Sequence, residues 1–111
     1  MPVRSFIEFQ VAESRSAEFE RVYREGGFLE RARIVPGFLG GDFVCVDREA
    51  GRYTTTALWD SFASYAHWQE IGPRETPRKW RKALLEVVTK FEPGIAGEVI
   101  DRVEAASDAD D

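Results

Sequence analysis

The sequence holds one cysteine, one histidine and one methionine in 111 residues. With Cys45 alone, no intrachain disulfide can form. Cys45 lies inside "DFVCV", where a buried strand thiol is expected rather than a nucleophile. There is no charged-then-apolar leader and no long apolar run, so a cytoplasmic protein with no membrane partner is expected. The glycine pairs at Gly26 and Gly40 come without the rest of a nucleotide fingerprint. His, Cys and Asp do not cluster at metal-ligand spacing, so no metal or other cofactor is expected. No repeat or linker divides the chain.

Basic charge is also in deficit. The formal net charge is −5, which argues against a nucleic-acid partner, since such a partner needs a basic face to displace counterions. Part of the negative charge lies in "EAASDADD", which has no apolar periodicity. Residues 1–103 read as one domain and 104–111 as a disordered acidic tail. The cations of "RETPRKWRK" read as a solvated helix face.

What the sequence has is large apolar side chains: 43% of residues are hydrophobic and 13% aromatic, enough for a core. "VRSFIEFQV", Val3 to Val11, is rich in β-branched and aromatic residues and carries apolar side chains on both faces, which predicts a strand buried at least partly on both sides. Ser14 or Ser16 can cap a helix bearing Phe19, Val22 and Tyr23, and Gly26-Gly27 should break or kink it. "PGFLGGDFVCVD" reads as a turn and strand, "REAG" as a hairpin loop, and "RYTTTALW" as the next strand. Asp60 or Ser61 caps a second helix that Gly72-Pro73 should stop; its stripe is Phe62, Tyr65 and Ala66, with Trp68 at the edge. A third helix starts at Thr76-Pro77, with a core stripe of Trp80, Ala83, Leu84, Val87, Val88 and Phe91, and ends at Pro93-Gly94. Ile95 to Val103 is a weaker last strand.

This order predicts an α+β ferredoxin-like split βαβ fold with a four-stranded antiparallel sheet. Helices cover one face of such a sheet. The apolar residues on the other face predict a homodimer packed sheet to sheet, a dimeric α+β barrel.

"VPGFLGGDF" followed by "TTTALWDSFASYAHWQE" resembles the antibiotic biosynthesis monooxygenase family. The matching positions are Pro36, Gly37 and Phe38 in a turn before the second strand, then Trp59 at a strand end, Ser61 as a cap, and Tyr65 and Trp68 on the helix. The resemblance spans the chain up to the acidic tail. It implies a homodimer of ferredoxin-like units, each with a pocket between sheet and helices. It also implies cofactor-free oxygenation of phenolic polyketides or quinone precursors. Relatives with this barrel cyclise polyketides or isomerise small rings. The heme-degrading branch uses a first-strand asparagine, the strand-ending tryptophan and an iron-ligating histidine on the later helical segment. This sequence has no asparagine, and "GPRETPRKWRK" has no histidine, so heme degradation is not expected.

The residues themselves leave alternatives open. His67 is either an exposed or interfacial histidine or a proton acceptor at the pocket mouth. Trp59 is a core plug, an aromatic wall for a planar substrate, or both. Glu8 and Gln10 face solvent or a partner subunit, or point into the pocket, where burial would raise a carboxylate's pKa and make Glu8 a base for a phenol. Tyr23 reaches the pocket or the sheet edge, and Arg74 and Arg78 are solvated or hold an anion. The expected catalytic residues are therefore Glu8, His67 and Trp59, with Gln10, Tyr23, Tyr65, Trp68 and Arg74 binding a small aromatic molecule. Three activities fit: oxygenation, cyclisation or isomerisation, and ligand binding alone.

Overall fold

A computed structural model describes residues 1–92 and 94–106. The elements run β1 (Val3–Val11), α1 (Ser16–Glu25), a 3-10 turn (Glu30–Ile34), β2 (Phe38–Asp47), β3 (Arg52–Trp59), α2 (Phe62–Glu75), α3 (Arg78–Val87), β4 (Val88–Phe91) and β5 (Ile95–Glu98). The sheet is antiparallel, ordered β2-β3-β1-β4, and β5 also pairs with β1. This is the α+β ferredoxin-like βαββαβ fold.

Two parts of the expected order change. The third helix stops at Val87 rather than running to Phe91, because Val88–Phe91 pairs with Phe9–Val11 of β1. Val88 and Thr89 are β-branched, and an unpaired β1 edge supplies the partner that local sequence cannot show. The last strand is correspondingly short: β5 pairs with Val3–Phe6, and the bond from Val99 N–H to the Pro2 carbonyl follows it. The fourth sheet position is thus filled by β4 and β5 in succession along β1. Pro93, expected to end the helix, and residues 107–111 of the expected tail lie outside the described residues; Glu104 to Ala106 are exposed.

α1 begins at Ser16, but Ser16 does not cap it. Its hydroxyl donates instead to the Arg48 carbonyl in the β2–β3 loop. Gly26 and Gly27 end α1 as expected, Gly27 with φ of 65°, a conformation that glycine adopts without Cβ strain. Ser61 caps α2 by accepting from the Ser64 N–H. α2 continues through Pro73 to Glu75, and Thr76 closes it by donating from Oγ1 to the Gly72 carbonyl. A proline this near the end forfeits one backbone bond without breaking the helix.

Val3, Ser5, Phe9 and Val11 of β1 and Tyr53, Thr55, Ala57 and Trp59 of β3 are buried under the helices. Two core clusters form there. One centres on Phe9, Phe19, Tyr23, Tyr53 and Val87; the other joins Val3, Ala32, Val35, Ala57 and Trp59. On the opposite face Phe6, Val44 and Val46 are 41%, 39% and 54% exposed, and Ile95, paired with Phe6, is 69% exposed. Among the described residues no helix is long and apolar enough to cross a membrane.

The β2–β3 loop is tied to α1 through Glu20. Arg48 Nε lies 2.7 Å from its carboxylate, and the Tyr53 hydroxyl donates to the same oxygen. Those hydrogen bonds, from Arg48 first and then Tyr53, hold the Glu20 carboxyl below its ordinary 4.5. A depressed folded-state pKa adds stability that is complete above the ordinary value and is lost as pH falls through the folded one. The melting temperature should therefore drop below pH 4.5, and Glu20→Gln should flatten part of that drop. Parallel thermal melts across acid pH check this.

Candidate functional site: an aromatic-walled cavity

α1 packs beside α3, while α2 packs against the 3-10 turn, so the two core clusters are covered separately. Between them the helix face of the sheet stays open as a cavity of about 550 Å³. Its floor includes Ser5, Ile7 and Phe9 of β1 and Thr55, Ala57 and Trp59 of β3. Small side chains at Ser5, Thr55 and Ala57, in the middle of the sheet, create the space. Tyr65, Trp68 and Gln69 of α2 form one wall, Arg81, Leu84 and Leu85 of α3 another, and Tyr23, Phe28 and Leu29 close the end toward α1.

Trp59 is 1% exposed yet lines this space. Its ring lies 5.9 Å from Tyr65 and 6.4 Å from Trp68, nearly parallel to the latter at 27°. Indole Nε1 donates to Ser5 Oγ at 2.9 Å. That bond uses an acceptor site on Ser5 and leaves the serine its own proton to donate. A second pair, Tyr23 and Thr55, shares a buried hydrogen bond of 2.6 Å. Burial pushes the Tyr23 phenol up to about 12, so it stays protonated and is no base near neutral pH. Tyr65 is also raised by burial, and its hydroxyl accepts from Gln69 Nε2 at 3.1 Å.

The cavity's polar inventory is short. Its described lining contains no carboxylate and no imidazole, and Arg81 is its one charged side chain. The arrangement can stack a flat ring against indole, donate hydrogen bonds from the floor and hold an anion near Arg81.

Four of the residues expected from sequence meet here: Trp59, Tyr65, Trp68 and Tyr23. Four do not. Glu8 is exposed on the open face of the sheet, because β1 turns its odd-numbered residues toward the helices. Gln10 follows the same alternation and donates to the Ala50 carbonyl at 2.6 Å. His67 is exposed on the outer side of α2. Arg74 is exposed and paired with Glu70 at 3.3 Å. The expected stripe of α2 is also rotated: Tyr65, Trp68 and Ile71 pack inward, whereas Phe62 is 53% exposed and Ala66 is exposed. Sequence reasoning missed Ser5, Thr55, Ala57, Gln69 and Arg81. A small-residue gap in alternating strands was the available signal for the first three; Gln69 and Arg81 carried none. Among the described residues no group of three or more His, Cys, Asp or Glu could hold a metal ion.

No protein-family model and no curated protein matches the chain. Solved structures do. SnoaB, a cofactor-independent oxygenase from Streptomyces nogalater, superposes with a TM-score of 0.67 at 18% identity over 94% of this chain and 98% of that one. A dimeric ferredoxin-like protein from an uncultured marine organism gives 0.73 at 19% identity over 95% and 92%. A candidate antibiotic biosynthesis monooxygenase from Nitrosomonas europaea gives 0.66 at 13% identity over 89% and 90%. The chain therefore has the fold of the antibiotic biosynthesis monooxygenases, at low sequence identity.

Proposed function

We propose that this chain is a cofactor-independent, monooxygenase-like protein that takes a phenolic or quinol-type aromatic molecule, such as a polyketide ring system, into the cavity beside Trp59. The observation that carries the reading is the cavity itself: about 550 Å³, walled by Trp59, Tyr65 and Trp68, with hydrogen-bond donors on its floor. The shared fold with an oxygenase described as cofactor-independent supports it.

With no carboxylate or imidazole in the described lining, the cavity residues do not take the substrate's proton in the manner of a general base. Their part is to favour the phenolate of a ligand that ionises readily. Arg81 offers a positive charge, and the Ser5 hydroxyl, already accepting from Trp59, offers a hydrogen bond. The electron-rich ring then reduces dioxygen directly. In the net reaction a ring C–H and its phenolic O–H become a quinone, one oxygen atom enters the new carbonyl, and the other leaves as water. The aromatic walls hold the ring and exclude bulk water.

A second reading is ligand binding without turnover. It is favoured by the Trp59–Ser5 and Tyr23–Thr55 pairs, which give each of these buried polar side chains a partner within the protein. Cyclisation or isomerisation on the same barrel needs a proton shuttle, which the described lining lacks. An oxygen electrode separates these outcomes. With a naphthalene-diol probe, oxygenation predicts uptake that rises with protein concentration and falls in a cavity variant. Saturable binding with no uptake would leave the binder.

The active unit is proposed to be a homodimer formed through the open face of the sheet. Phe6, Val44, Val46 and Ile95 project from that face, and the helices of the described residues cover the other. A stable contact of this kind buries about 1,600 Å². Light scattering should give the dimer mass, and Phe6→Asp with Val44→Asp should give a folded monomer.

A further inference from the structure

We propose that the outer face of α3 docks on an anionic lipid bilayer, and that the cavity collects its ligand from there. The second clause rests on the ligand reading above; the docking does not.

Arg78, Arg81 and Lys82 stand at helical spacing and share one side of α3. All three are exposed, and none has an ion-pair partner among the described residues. Leu85, one turn beyond Arg81, is on the same side and 65% exposed. Arg81 and Leu85 also line the cavity, so the basic face and the cavity mouth are continuous. Phe91, 53% exposed, belongs to the same mouth. On the flank of α3, Lys79 Nζ lies 5.3 Å from the ring centre of half-buried Trp80. Leu85 is the exposed large apolar side chain that α3 keeps beside these cations, and Phe91 of β4 shares the mouth with it. Glu86 is the helix's one acid, so the outer face stays net basic with an apolar edge suited to a bilayer interface. Its cations meet lipid headgroups and its apolar side chains enter the acyl boundary.

Two occupants could neutralise such a face. An acidic protein would meet the cations but would leave Leu85 and Phe91 in a polar rim. A bilayer satisfies both at once, and it is also where a ligand suited to an apolar cavity concentrates. The chain's net charge of −5 hides this face but does not oppose it, because attraction to a membrane is felt only within a Debye length, about 10 Å. Dimerisation through the open face of the sheet leaves α3, on the other face, free.

The test is sedimentation of the full chain with vesicles of phosphatidylcholine alone and with about one-third phosphatidylglycerol added. Binding is expected only with the anionic lipid and should weaken with salt. The double variant Arg78→Gln with Lys82→Gln should bind these vesicles roughly thirtyfold more weakly, the equivalent of about 1 kcal/mol per cation removed. Its melting temperature and its ligand binding in solution should match the parent. No sedimentation at low salt, equal sedimentation with neutral vesicles, or no loss in the double variant would overturn the docking. Equally strong binding to soluble polyglutamate would assign the face to an acidic protein and would overturn it too. Vesicle binding without any ligand binding would leave the docking standing and overturn the delivery of ligand.

Discussion

Trp59→Ala is expected to lower stability by about 3–5 kcal/mol, the range for deleting a fully buried large aromatic side chain. Trp59 joins Phe38, Tyr65 and Trp68 to the β3 end, and its indole N–H is committed to Ser5. The variant therefore loses both packing and a buried hydrogen bond. Trp59→Phe separates the two contributions. It keeps a ring in place but removes the donor to Ser5, which costs about 1 kcal/mol. Ligand affinity should fall with this milder change as well, because stacking area is lost at the cavity wall. Chemical denaturation and ligand titration on both variants provide the check. If Trp59→Phe lost stability alone and bound ligand as the parent does, Trp59 would be a packing residue and the ligand would sit elsewhere.

The second large effect belongs to Phe19. It is 0% exposed and its ring meets those of Phe9, Tyr23, Phe43 and Tyr53. Phe19→Ala should lower stability by about 3–5 kcal/mol. Phe19 does not line the cavity, so ligand affinity measured well below the melting temperature should stay close to the parent's. Trp80 gives the contrast. Its helical spacing predicts a core residue, yet it is only half-buried and joins neither core cluster. Trp80→Ala should accordingly lose far less than Phe19→Ala in the same denaturation series. Equal losses would mean that α3 packs more deeply than its exposure pattern shows.

Trp80 illustrates why part of the fold was legible and part was not. β1 and β3 were readable to their ends because β-branched and aromatic runs stop at polar or turn residues. Helical periodicity likewise placed Trp80, Val87 and Val88 on one stripe. It could not show that Trp80 would stay half-buried outside both core clusters, nor that β1 would recruit Val88–Phe91 as a strand. Those outcomes depend on partners distant in sequence.

The site divides in the same way. Aromatic spacing around the β3–α2 junction brought out Trp59, Tyr65 and Trp68, since large rings at a strand end and on the following helix must pack somewhere nearby. Glu8 was misplaced because β1 carries apolar residues on both faces. Alternation gives two faces but does not say which one the helices cover. Phe6 on the open face made the choice ambiguous. Ser5 and Ala57 are marked in sequence only by small size among large strand residues, and the packed structure is needed to show that this size opens a cavity.

The central claim is that a flat aromatic ligand lies between the sheet and α2, against Trp59. The most direct measurement is a nitrogen–proton NMR titration that follows the indole signals of Trp59, Trp68 and Trp80 as 2-naphthol is added. The account predicts saturable shifts at Trp59 and Trp68, both of which line the cavity, while Trp80, which does not, stays in place. Shifts confined to Trp80, or no saturable shift at Trp59, would contradict it.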